Sequence, residues 1–281
     1  RVKRLPLGVL GVLVGMAVVS SVVGFWGEGW KGLWQSLGPE LAGAVVTYVL
    51  LDLVLGTRQR KEDLIAKMGS DSREVAVPAA DELRREGWLT DGSLEGINLG
   101  GPLGGANLEG AYLKSAQLKE TYLLGANLKR ARLDAANLTG AHLGATNLEG
   151  AILIDAKLAR AELPVVDLAE ALLAWADLRG ALLRGANLER AHLGLANLEG
   201  AILEDTNLDG AILEGAQMRR AKVAPVQLAQ AKSLAGTTLP DGTKLSEDNW
   251  RAEFEEWRKR QEAGAEGERD GGEGDKRDDD D

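Results

Sequence analysis

Residues 186–200 read ANLERAHLGLANLEG, three five-residue phrases in a row. The same phrase stands earlier as ANLKR at 126–130 and ANLTG at 136–140. A period of five fits neither regular secondary structure. In an α-helix five residues turn through about 500°, so successive leucines move about 140° round the axis and make no face. In a flat strand an odd repeat sends them to alternate sides. Both arrangements leave half the leucines in water. The pattern is satisfied when each unit is one short extended side followed by a corner, so that every Leu and every Ala points inward. Four corners close a square coil of 20 residues. Stacked coils then pair backbone to backbone at about 4.8 Å.

Working outward, every fifth residue from Leu103 to Leu228 is Leu, apart from Met218 and Val223, which makes 26 units without a break. Two residues before each stands a small residue, mostly Ala. Thr121, Thr146 and Thr206 are mild exceptions; Val166 and Val226 are larger ones. Beside Leu a narrow bore leaves little room, which favours Ala. Gly often stands two after the Leu, as at Gly110, Gly140 and Gly200, and supplies the positive φ of a type II turn. About six and a half coils give a rod about 31 Å long. Val166, in the interruption Pro164-Val165-Val166, is expected to bulge its coil.

Units of the form A(D/N)LXX over residues 97–240 resemble the pentapeptide-repeat family. The resemblance implies an all-β solenoid, a right-handed quadrilateral β-helix. The flanks, WLTDGSL at 88–94 and TTLPDGTKL at 237–245, also look like those of the family. Register slips mark both ends: Leu99 to Leu103 is four residues and Leu228 to Leu234 is six. Slips are expected where terminal units meet caps.

The organisation follows. Residues 1–57 read as a transmembrane helical hairpin, 58–96 as a linker and N-terminal helical cap, and 97–245 as the β-helix. Residues 246–263 read as a C-terminal helical cap and 264–281 as a disordered acidic tail. In the N-terminal cap, Val77, Ala80, Leu83 and Leu89 mark a stripe, a helix starts near Pro78, and Gly87 ends it. In the C-terminal cap, Ser246 can N-cap a helix that carries Trp250, Phe254 and Trp257 on one face.

Residues 5–26 contain no charge, enough for a helix across a hydrocarbon layer about 30 Å thick. Residues 38–56 form a second apolar run with Glu40 and Asp52 near its ends. The loop between them carries Trp30 and Trp34, and Trp26 precedes it at the same spacing of four, as in an interfacial belt. RVKR before the first run and RQRK after the second place both chain ends in the cytoplasm of a bacterial-type inner membrane. The partners expected are therefore the lipid bilayer, through 5–26 and 38–56, and a protein or second copy bound by the rod. A cleaved signal peptide is the alternative for the first run.

The net charge of −10 belongs to the tail. Residues 97–245 hold 16 acids and 15 bases, whereas 246–281 hold 15 acids and 7 bases. No region has the basic surplus of a nucleic-acid binder. The chain has no cysteine, so no thiolate site or disulfide is possible. His142 and His192 lie two and a half coils apart, on opposite sides, and share no metal or catalytic pair. No enzyme activity and no cofactor are expected.

Residues twenty apart stack on one side of the rod. Two sides are amide-rich ladders, Asn107 to Gln227 and Gln117 to Gln217, expected to satisfy corner backbone groups and one another. On a third side Ile152, Ile154, Leu172, Trp175 and Leu195 form the candidate interaction patch. The function read from this is a non-enzymatic, membrane-anchored scaffold. The alternatives are a DNA-mimic regulator of DNA gyrase, which some members of the resembled family are, and a passive spacer for the tail. The near-neutral rod weighs against the mimic.

Overall fold

A computed structural model describes residues 28–270 and divides the chain into two units, Arg1–Glu62 and Asp63–Asp281. The expected first span, 5–26, and Trp26 lie outside the described residues.

The first unit is carried by α1, Glu28–Met68, a continuous helix of 41 residues whose last turn belongs to the second unit. Two expectations change here. Residues 28–37 are helical, so the tryptophan segment is no loop. The run 38–56 has no boundary of its own. Among the described residues no helix is long and apolar enough to cross a membrane. Tyr48, Leu50, Leu51, Leu53, Val54 and Leu55 are all exposed. At about 100° per residue they spread over about 220° of the helix circumference, with Asp52 in the remaining sector.

The second unit opens with Leu64 and Met68, both buried. Helix α2, Arg73–Arg85, follows. It begins five residues before the expected start, because Ser72 turns its carbonyl to the N–H groups of Val75 and Ala76 (3.0 and 2.9 Å). Pro78 therefore sits inside the helix and forfeits one intrahelical bond. Burial of Ala76, Ala79, Ala80 and Leu83 offsets that loss. Gly87, at φ 76°, ends the helix as expected. Its N–H reaches the Arg84 carbonyl at 3.0 Å and the Trp88 N–H reaches the Leu83 carbonyl at 2.9 Å, a Schellman closure. The first coil then approaches closely. A Cβ on Gly101 would stand 2.2 Å from the Ser70 carbonyl oxygen. Gly101→Ala is expected to destabilise this cap by about 1–3 kcal/mol, read as a lower melting temperature and faster proteolysis near residue 70.

The repeats form a four-sided parallel β-helix. Bridges join residues twenty apart, as in Asn107–Asn127–Asn147 and Tyr112–Arg132–Ile152. The leucines and the small residues of the repeat phase are buried to within a few per cent. One unit, ANLKR at 126–130, accounts for all five backbone donors. Ala126 N–H closes the turn to the Leu123 carbonyl (2.9 Å). Asn127 N–H reaches back to the Ala106 carbonyl (2.9 Å). Leu128 and Arg130 donate forward to Asn147 and Glu149 (2.7 and 2.9 Å). Lys129 N–H, which no coil can reach, donates to Asn127 Oδ1 (3.1 Å). This explains Asn or Asp at the second position: it satisfies the first corner amide.

The sequence slips appear as changed bridge offsets. Asn98 pairs with Gln117, nineteen apart, and Ile212 pairs with Ser233, twenty-one apart. Three readings are corrected. Val166 does not bulge its coil: Asp167 keeps its bridges to Asn147 and Asn187, and the strain goes into one turn bond, Val166 N–H to Leu163 carbonyl, at 3.4 Å. The last of the 26 units is not a repeat side. Pro225–Leu228 is a short helix, α3, because Pro225 suits a first helical turn; Val226 points to solvent. Gln227 accordingly leaves the amide ladder. Its Nε2 donates to the Leu203 and Thr206 carbonyls (2.9 and 2.8 Å); the Thr206 carbonyl is the one a further coil would have taken, while the Leu203 carbonyl already accepts the turn N–H of Thr206 at 3.1 Å.

Helix α4, Trp250–Asp270, covers the other end. Asn249 directly precedes it, and Ser246 acts a turn earlier: its Oγ accepts the Asn249 N–H at 3.1 Å, while Glu253 reaches back to the Ser246 N–H at 2.6 Å. Phe254 and Trp257 are buried and Trp250 packs beside them. The helix runs seven residues past 263, where disorder was expected. Ala263, Ala265, Glu266 and Glu268 favour helix enough to carry Gly264 and Gly267.

Trp257 Nε1 donates to Asp241 Oδ2 at 2.9 Å. Burial raises the Asp241 pKa, but hydrogen bonds from Thr243 and Trp257 outweigh it and hold the carboxyl below its ordinary value. A lowered value means stability that is full above the ordinary carboxylate range and lost as pH falls through the lowered one. Acid titration of tryptophan fluorescence should therefore show the cap loosening at low pH. In Asp241→Asn that transition should disappear.

Candidate functional site

Each unit places one side chain at the middle of a side and two at the corner, so the surface is set by what stands twenty residues above and below. The first side runs Asn107, Asn127, Asn147, Asp167, Asn187, Asn207. Its amides form a ladder: Asn127 Nδ2 donates to Asn107 Oδ1 at 3.3 Å, and Asn207 to Asn187 at 3.1 Å. The same oxygens accept the corner N–H groups of Glu109 and Glu189. The third side repeats this between Asn137 and Gln117. On it, the guanidinium of Arg179 binds both Asp177 oxygens (2.8 and 2.7 Å) and holds that carboxyl below the usual range, against the effect of burial. Both ladders thus spend their polar groups on the fold.

The candidate patch is divided by the structure. Ile152 and Leu172 are bridge partners on the second side and are half-buried, as is Ile154. Trp175 and Leu195 stand on the next corner, 57% and 53% exposed. Trp175 N–H donates to the Gly194 carbonyl at 3.0 Å, which sets one above the other. Leu195 leans over Gly215, whose absent Cβ would lie 2.7 Å from Leu195 Cδ2. The result is an apolar ledge at Trp175 and Leu195, with the three smaller contributors as its half-covered floor.

The fourth side was not read as a site from the sequence, yet it exposes more. Tyr122 is 56%, Leu124 63% and Val165 69% exposed, with Pro164 and Leu182 also open to solvent. Tyr122 stacks on His142 at 4.5 Å, and His142 Nδ1 pairs with Glu162 at 2.8 Å. Leu124 and Pro164 close over Gly144, whose Cβ would meet them at 3.0 and 3.4 Å. The signal was available in Tyr122, Leu182 and Ile202, which share a phase. His142 and His192 lie on opposite sides, as the twenty-residue register requires.

Three bulky apolar residues, Val165, Trp175 and Leu195, hold φ values of 56°, 58° and 59° at corner positions. That left-handed region disfavours side chains with a Cβ, and β-branched ones most. Val165→Gly should stabilise the rod by about 0.5–1 kcal/mol, the strain of about 1–2 kcal/mol less the extra chain entropy of glycine, measured by denaturant unfolding.

The profile of the family described as pentapeptide repeats matches in eight copies, over 103–134, 131–164, 167–205 and 186–223. Similar solved structures include HetL, a pentapeptide repeat protein involved in heterocyst differentiation regulation from the cyanobacterium Nostoc sp. strain PCC 7120. It is 29% identical over 58% of this chain and 98% of its own, with a TM-score of 0.25. Rfr23 from the cyanobacterium Cyanothece 51142 is 33% identical over 46% of this chain and 86% of its own, at 0.29. A trypsin-treated variant of QnrB1, a plasmid-mediated fluoroquinolone resistance protein, is 16% identical over 57% and 86%, at 0.35. Superpositions this loose leave the fold resting on the bridges described above. No curated protein matches the chain.

Proposed function

We propose, from the premise that this chain belongs to the pentapeptide-repeat family, that its β-helix is a non-enzymatic protein-interaction scaffold. The observation that carries this is the ledge of Trp175 and Leu195. A fold whose amide ladders are used on its own corners leaves these two large apolar side chains exposed. Neighbouring apolar side chains left in water serve no packing of the chain, and such patches mark binding surfaces. Ile152, Ile154 and Leu172 extend the ledge under a bound partner protein. The reading includes no catalysis and no cofactor.

The attachment we propose is a bilayer, with both chain ends in the cytoplasm and residues 97–245 presented at its inner face. Support comes from the uncharged run 5–26, from the basic RVKR before it and RQRK at 58–61, and from the exposed apolar residues Tyr48, Leu50, Leu51, Leu53, Val54 and Leu55 of α1. The test is alkaline extraction of native membranes followed by protease treatment of intact cells. Retention in the pellet with protection of the repeats agrees; release into the supernatant removes the anchor from the proposal. Crosslinking in the same membranes, with identification of what is captured, tests the scaffold itself. A chain that captures nothing there is no scaffold.

A further inference from the structure

We propose that the ledge on the second side takes a basic amphipathic helix of the partner protein, its apolar face on the rod and lysine or arginine along both flanks. This rests on the scaffold reading above and names the chemistry of its partner.

The twenty-residue register places each column of the second side. Ile152, Leu172 and Ile212 stand half-buried along its middle, and Trp175 and Leu195 stand along the corner that follows. Between the two rows lie Ile154, Ala174 and Gly194, one to a coil. The last two are small, and a Cβ added to Gly194 would meet nothing nearer than the Glu214 carbonyl oxygen at 3.7 Å. The rows therefore bound a shallow apolar groove along the rod. From Ile152 to Ile212 it crosses three coil spacings, about 14 Å, the length of about ten helical residues. Grooves of this kind receive the apolar face of a helix.

Charge decides which helix. Across these four coils the second side and its two corners carry six carboxylates and one guanidinium, although residues 97–245 as a whole hold 16 acids and 15 bases. Glu149 is paired with Lys129 of the coil below (2.6 Å). Glu170 and Glu189 share Arg190 (3.7 and 3.6 Å). Asp155, Asp209 and Glu214 are exposed and enter no ion pair among the described residues. Asp155 and Glu214 flank the groove on the following corner, and Asp209 on the preceding one. Bases resume only at the margins: Arg132 one coil below, Lys232 one coil above, and Lys157 round the corner on the third side. Such a rim repels an acidic helix, an anionic lipid surface and a nucleic acid, and attracts cationic flanks on either side of an apolar strip.

The probe is a labelled leucine–lysine peptide of about 18 residues with the pattern of an amphipathic helix, titrated by fluorescence anisotropy against the full chain in non-ionic detergent. Binding is expected with a Kd between about 1 and 100 μM. Asp155→Lys combined with Glu214→Lys should weaken it at least about tenfold, and so should Trp175→Ser combined with Leu195→Ser, which leaves the charge unchanged. Glu199→Lys combined with Asp205→Lys makes the same change in net charge on the two corners of the opposite side, and should alter binding less than about twofold. Circular dichroism of each variant should match wild type. No binding of the peptide overturns the proposal. So does equal weakening by the two charge-reversed pairs, or equal binding of a leucine–glutamate peptide of the same pattern. Crosslinking in native membranes separates this inference from the reading beneath it. Capture that survives Asp155→Lys with Glu214→Lys but is lost in Trp175→Ser with Leu195→Ser overturns the basic partner and leaves the scaffold standing. Capture that survives both pairs overturns the ledge as well.

Discussion

Leu173→Ala is expected to destabilise the repeat domain by about 2–5 kcal/mol, whereas Leu195→Ala changes it by less than about 0.5 kcal/mol. The residue type and the truncation are the same; only the phase differs. Leu173 is fully buried in the bore between Ala171 and Ala176, and its N–H is committed to the His192 carbonyl at 2.7 Å. The bore is narrow and its walls are backbone held by bridges above and below. It cannot collapse onto a missing isobutyl group, so the cavity remains and its cost is added to the lost transfer energy. Solenoid coils are coupled chiefly to their neighbours, so hydrogen exchange should show the loss strongest in the coils on either side. Denaturant unfolding followed by circular dichroism gives the total. A cost below about 1 kcal/mol would falsify the close-packed bore.

The second large effect is on binding. Trp175→Asp combined with Leu195→Asp should reduce partner capture at least about 30-fold, the equivalent of one hot spot of about 2 kcal/mol. Circular dichroism should be unchanged, because both side chains stand outside the bore. Tryptophan contributes most at interfaces when its ring is covered by a partner and water is excluded. Here the residue is 57% exposed, on a corner whose next coils carry Leu195 and then Gly215. Leu172→Asp is the informative companion. It lies half-buried on the adjoining side, and a smaller loss is expected from it. Equal crosslinking yields from wild type and the double variant would remove the ledge from the proposed function.

The repeat phase was fully legible. Leu and Ala recur in each unit, and a five-residue signal needs no distant residue to be read. The slips at Leu99 and Leu228 were equally plain, and they return as bridge offsets of nineteen and twenty-one. Gly87 as a helix stop was legible too, because a positive φ after a helix is a local requirement.

What the sequence alone left undecided depends on neighbours twenty or more residues away. Ile152 and Leu172 read as exposed, yet the coils above and below half-cover them; Tyr122 and Leu124 stay more than half exposed although the next coil brings His142 and Gly144 against them. Pro78 marks a helix start by local rules, but contact between Ala76, Ala79 and the first coils holds it inside α2. Leu228 keeps the five-residue phase although Pro225 has already turned the chain into α3. Side-chain identity fixes which residues enter the bore, because that choice is made within one unit. Exposure, strain at Val165 and the shape of each side are fixed only when coils stack, because stacking is what brings residues of different units into contact.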